Sequence, residues 1–154
     1  MREIKAPFNI PNKGKKIFLA GSIEMGKAED WQTLVVNSLK DTDWIILNPR
    51  RSDWDSSWKQ DKNNPQFREQ VEWELQGLEE ADVILFYFDK DTKSPITLLE
   101  LGMSARRDLD FQKILVVCPE GFYRKGNVDL VCERYGVKQY PDLAVAIKEI
   151  RNLI

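Results

Sequence analysis

Apolar residues along the chain fall into short unbroken runs separated by longer stretches of helical spacing. The runs are Lys16–Ala20, Trp44–Leu47, Asp82–Phe88 and Lys113–Cys118, with Val137–Tyr140 as a shorter fifth candidate. Gly21-Ser22 closes the first and Asn48-Pro49 the second. Continuous apolar runs of this length read as strands buried on both faces. Between them, Trp31, Leu34, Val35 and Leu39 mark a helix over residues 28–40. Pro65 opens a second helix through Glu80, with Phe67, Val71, Leu75 and Leu78 on one stripe. Ser94-Pro95 starts a third, reaching about Arg107, and Pro141 opens a last one with Leu143, Ile147 and Ile150 inward. Residues 1–14 carry two prolines and read as an irregular lead-in. Arg50–Asn64 reads as a long polar loop of the kind that is usually functional or disordered.

Alternating strands and helices predict an α/β chain. The expected architecture is a single-domain flavodoxin/Rossmann-like three-layer fold over residues 15–154, with a four- to five-stranded mainly parallel sheet. The chain is 154 residues long, the size of one domain, with no internal repeat. Ligands of such sheets sit beyond the carboxyl ends of the strands. That directs attention to residues 21–27, 48–58, 88–94 and 118–127.

Charge and composition narrow the chemistry. Lys plus Arg number 23 against 25 Asp plus Glu, so nothing draws the chain toward a nucleic acid polymer or an anionic membrane. The chain has no histidine, which excludes a Ser-His-Asp triad, a Cys-His dyad and an imidazole base. Two cysteines, Cys118 and Cys132, are too few for a zinc site or a disulfide scaffold. No run approaches the ~20 apolar residues needed to span a bilayer. The first residues lack a secretory apolar stretch, so a cytoplasmic location is expected. Acid–base or nucleophilic work must rest on carboxylates, Lys, Tyr, Ser or a thiol.

Four constellations could carry it. Gly21–Lys27 matches the glycine-and-lysine half of a phosphate-binding loop, and Asp89 could serve as its metal-binding aspartate. Ala28, however, lacks the hydroxyl that holds Mg²⁺, so the loop is either a degenerate phosphotransferase element or a tight turn. Ser94-Pro95 is a helix start, and Glu100 follows among Leu98, Leu99, Leu101 and Met103. A glutamate there needs a partner or a task unless it faces water. Glu74 sits at the edge of its helix's apolar stripe, on a segment whose other glutamates read as solvated. The loop from Asn48 to Trp58 offers Arg50 and Arg51 for a phosphate and Trp54 for a base, or simply packs locally. A non-catalytic nucleotide-binding module would keep the same pocket without a nucleophile.

Three segments together resemble the nucleoside 2-deoxyribosyltransferase family, which includes deoxynucleoside monophosphate N-glycosidases. They are Ile17–Ile23, Glu74-x-x-x-Leu78-x-x-Ala81-Asp82, and Ser94 followed by Glu100-Leu101-Gly102 with Ala105 behind. The resemblance implies cleavage or transfer of an N-glycosidic bond in a (deoxy)nucleoside or its 5′-monophosphate. Glu100 would attack C1′ of the sugar, and Glu74, where the family more often has aspartate, would manage the proton. Ser94 matches the serine of monophosphate-cleaving members, whereas Glu24 and Met25 depart from the arginine and glycine of nucleotide hydrolases. Gly21, Ser22, Ile23, Asn48, Arg50, Arg51, Trp54, Asp89 and Ser94 are the expected substrate-binding residues. Tyr123 and Asn127 are candidates for completing a neighbouring subunit's site in a homodimer or higher even oligomer. No cofactor or metal is implied.

Overall fold

The computed structural model describes residues 1–23, 29–106 and 112–153. The apolar runs become strands because helices cover them on both sides. In chain order the elements are β1 (Arg2–Lys5), β2 (Lys16–Gly21), α1 (Trp31–Ser38), β3 (Ile45–Asn48), α2 (Pro65–Glu80) and β4 (Val83–Tyr87). They continue with α3 (Pro95–Ser104), β5 (Lys113–Val117), α4 (Lys125–Tyr135), β6 (Lys138–Tyr140) and α5 (Leu143–Arg151). The strands form one parallel sheet in the order β1-β3-β2-β4-β5-β6. This is the α/β, Rossmann-like three-layer arrangement expected, with six strands rather than four or five. Among the described residues no helix is long and apolar enough to cross a membrane.

Alternate residues of each strand feed opposite cores. Phe18, Ala20, Ile84, Phe86 and Val116 face the layer holding α2, α3 and α4. Ile17, Leu19, Val83, Leu85 and Val117 face the layer holding α1 and α5. Helix starts follow the sequence: Asn64 accepts from the Phe67 amide at 3.0 Å, and Pro65 has no N–H in need of an acceptor. Gly77 lets α2 lie directly on β2, since a Cβ there would stand 2.6 Å from the Phe18 ring.

Two elements differ from expectation. Residues 2–5, within the stretch expected to be irregular, form edge strand β1, paired with β3 from Arg2↔Ile45 to Lys5↔Asn48. Its sequence hides this because only Ile4 is buried among charged neighbours. Helix α4 was concealed for a related reason. Its buried residues are Val128 and Cys132 alone, while Leu130 and Tyr135 face solvent and blur the stripe. Helices α1 and α3 are shorter than their apolar spacing suggests, starting at Trp31 and ending at Ser104.

The chain leaves β2 toward β3 on one side and returns past it to β4 on the other. The crossovers diverge between β2 and β4, so the carboxyl ends of these two strands frame the natural ligand crevice.

Candidate active site

Gly21, the last residue of β2, could carry no side chain. A Cβ there would lie 2.5 Å from both the Trp31 ring and the Tyr87 carbonyl oxygen. This close fit carries Ser22 into the crevice, its amide donating to the Tyr87 carbonyl at 3.0 Å. The Trp31 indole donates to the Ser22 carbonyl at 3.1 Å and packs against Tyr87, ring centres 5.1 Å apart. The Ser22 hydroxyl accepts from the Asp89 amide at 2.9 Å and lies 2.5 Å from that of Ser94. Thr92 Oγ1 completes the cluster, 2.9 Å from Ser22 Oγ and 2.8 Å from Ser94 Oγ. All three residues are buried.

Ser94 stands at the start of α3, and Pro95 takes the first helical position. Its hydroxyl makes no capping bond, and its backbone is left-handed, with φ at 46°. A non-glycine residue pays for that conformation, and such cost gathers at functional sites.

The carboxylates meet in the layer below. Thr97, Glu100, Leu101 and Ser104 are the buried residues of α3. Among the described residues, no side chain or amide donates a hydrogen bond to the Glu100 carboxyl. Burial pushes its pKa up to about 8, and repulsion from Glu74 of α2 adds to the rise. Glu74 is partly buried, and burial pushes its pKa up to about 6 although Gln70 Nε2 donates to it at 2.8 Å. Near neutral pH the pair holds about one proton between its two members, the behaviour of coupled acids.

The remaining candidates divide. Asp89 and Ile23 flank the hydroxyl cluster, and Asp89 shapes its turn by accepting from the Asp91 amide at 2.9 Å. Asn48 ties strands, donating to Glu3 at 2.8 Å and accepting from the Arg50 amide at 3.0 Å. Arg50 reaches Gln32 at 3.2 Å and Asp30 at 3.6 Å, at the start of α1. Arg51 is neutralised by its own loop and by α2, gripping Asp53 at 2.9 and 2.8 Å and Glu69 at 3.5 Å. It also lies over Trp58, which packs edge-on against Trp54 at 5.1 Å. Tyr123 is exposed, and Asn127 lines an apolar groove of about 300 Å³ between α3 and α4. Gly26, Lys27 and Ala28 of the half phosphate loop lie outside the described residues. Thr92 and Gln70 were not anticipated. Their signals are positional: Thr92 lies two residues before Ser94, and Gln70 one helical turn before Glu74.

A family model described as "Nucleoside 2-deoxyribosyltransferase like" matches residues 14–122. That span runs from β2 through β5 and contains the hydroxyl cluster and both acids. The chain belongs to the nucleoside 2-deoxyribosyltransferase-like family. A comparison with curated proteins finds no match. Membership in the nucleoside 2-deoxyribosyltransferase-like family gives the chain an enzyme type, glycosyl transfer or hydrolysis, and small nucleoside compounds as its substrate class. The match ends at Phe122, so Tyr123 and Asn127 lie just beyond it.

Proposed function

We propose that this chain cleaves or transfers the N-glycosidic bond of a (deoxy)nucleoside or nucleoside 5′-monophosphate through a covalent glycosyl-enzyme. The observation that carries the reading is Glu100: a buried carboxyl to which none of the described residues donates, within electrostatic reach of a second acid and on the helix that Ser94 begins. Loss of a base from C1′ builds positive charge on the sugar, and a dry carboxylate beneath the ring meets that charge unscreened. For reaction the shared proton belongs on Glu74. Glu100 Oε attacks C1′, the C1′–N bond breaks with its electron pair going to the base, and Glu74 gives its proton to that nitrogen. Water or an acceptor base then attacks C1′, releases Glu100 as carboxylate, and returns a proton to Glu74.

The hydroxyls of Ser22, Thr92 and Ser94, at the start of α3, suit a 5′-phosphate, since neutral donors at a helix N-terminus favour an anion. Arg51 is paired with carboxylates and leaves this task to them. We further propose an even-numbered homo-oligomer. The outward face of α3 carries Ile96, Leu99 and Met103, 58%, 60% and 41% exposed, and nothing lies within 4 Å of a Cβ built on Gly102. A second copy laid on this stripe buries the same residues of both chains, as two-fold symmetry requires.

Product chromatography tests the reaction. Ribo- and deoxyribonucleosides and their 5′-monophosphates are incubated with and without an acceptor base, alongside Glu100→Ala. Free base from one panel member, absent in the variant, is the expected result, and an exchanged base identifies transfer. Undiminished turnover by Glu100→Ala removes the mechanism. Nucleotide binding without product favours a sensor module.

A further inference from the structure

The Gln70 amide has its orientation set by its surroundings. Its Nε2 donates to two acceptors, the Pro49 carbonyl at 3.0 Å and Glu74 Oε1 at 2.8 Å. Rotating the amide by half a turn would aim its oxygen at both acceptors, so each hydrogen bond locks the other. Among the described residues the lock leaves Gln70 Oε1 buried without a partner, and an unsatisfied buried acceptor is destabilising. A leucine or methionine would fill the same space without that cost. Gln70 itself is 5% exposed, so solvent contact does not explain the amide.

What the amide achieves is a link between two parts of the site. Pro49 begins the Arg50–Asn64 loop, directly after β3, and Glu74 sits one turn further along α2. We propose that Gln70 is a positioning residue, clamping the Glu74 carboxyl by one oxygen and fixing its distance from the loop that closes the carboxyl end of β3. Resting on the glycosidic reading above, the clamp leaves Glu74 Oε2 to carry the proton that moves. A donor held at Oε1 also favours the ionised acid and so opposes the rise that burial imposes. The titratable group of the facing helix α3 is Glu100, whose carboxyl the Glu74 charge pushes up. Glu69 and Glu72 on α2 are exposed.

The test compares Gln70→Met, which keeps bulk without donors, with Gln70→Glu, which donates only when protonated. Carboxyl ¹³C shifts of glutamate-labelled protein are titrated, with Glu74→Gln assigning the signal. Gln70→Met should raise the Glu74 midpoint by about one pH unit, the worth of one hydrogen bond to a charged group. Where turnover is measurable, the acidic limb of kcat should move up by the same amount, and Gln70→Glu should regain activity as pH falls. An unchanged Glu74 midpoint in folded Gln70→Met overturns the proposal, leaving Gln70 a tether of the loop. The titration needs no substrate, so its outcome stays separate from that of the glycosidic reading. If no panel compound is cleaved while the midpoint moves, the clamp stands and the reaction falls.

Discussion

Replacing Glu100 with Gln should make the protein more stable at alkaline pH while abolishing turnover. In the folded chain burial and the facing Glu74 raise this carboxyl from 4.5 to about 8. A group whose folded pKa is raised contributes stability that is complete below its unfolded value and is lost as pH climbs through the folded one. The window therefore runs from about pH 4.5 to about pH 8. At ~1.36 kcal/mol per pH unit, a rise of this size bounds the effect at about 5 kcal/mol. Water entry and side-chain relaxation at a 7%-exposed site reduce it, so ~2 kcal/mol is expected. In a chain of this length that is about 4–8 °C in melting temperature. The assay is thermal unfolding of both proteins from pH 5 to pH 9. A glutamine amide adds its own desolvation cost, but that cost does not vary with pH, so the informative quantity is the change in the difference. The curves should approach each other at pH 5 and separate as pH rises. Parallel curves across the range would refute the claim that Glu100 is held as a buried, poorly compensated acid.

Other substitutions follow from the geometry. Gly21→Ala places a methyl 2.5 Å from Trp31 and the Tyr87 carbonyl, and should cost about 1–3 kcal/mol in urea unfolding. Ser94→Gly should be more stable than Ser94→Ala by about 1 kcal/mol, because only glycine is at ease at φ 46°. Both should lose preference for a 5′-monophosphate over the free nucleoside, read as a rise in KM for the monophosphate alone. Arg51→Ala should leave that KM unchanged but speed proteolytic nicking within residues 51–64, since Arg51 holds Asp53, Glu69 and Trp58 together.

The parts legible in the sequence were those with a local signature. Continuous apolar runs marked β2, β3, β4 and β5, and Pro65 and Pro95 marked the starts of α2 and α3. An acid flanked by Leu98, Leu99, Leu101 and Met103 is conspicuous in the sequence itself. The obscure parts depended on distant neighbours. β1 is a strand because β3 lies beside it, not because of its own residues. Arg51 looked like an anion binder, yet Glu69, eighteen residues onward, helps neutralise it. The left-handed backbone at Ser94 could not be read from a Ser-Pro pair, which ordinarily announces a capped helix. Its serine turns to Ser22, seventy-two residues away.

The outer strand beside β3 also bears on solubility. Ile45–Asn48 is buried throughout, and without a neighbour this strand would offer other chains an open row of backbone donors and acceptors flanked by apolar side chains. β1 occupies that row and presents Arg2, Glu3 and Lys5 in its place, with Glu3 paired to Lys5 and bonded to Asn48. Charged side chains on a short border strand discourage further pairing. A chain lacking residues 1–5 would therefore keep Glu74 and Glu100 in place, but its sheet could extend from one molecule to the next, so self-association would limit it before any change at the candidate site.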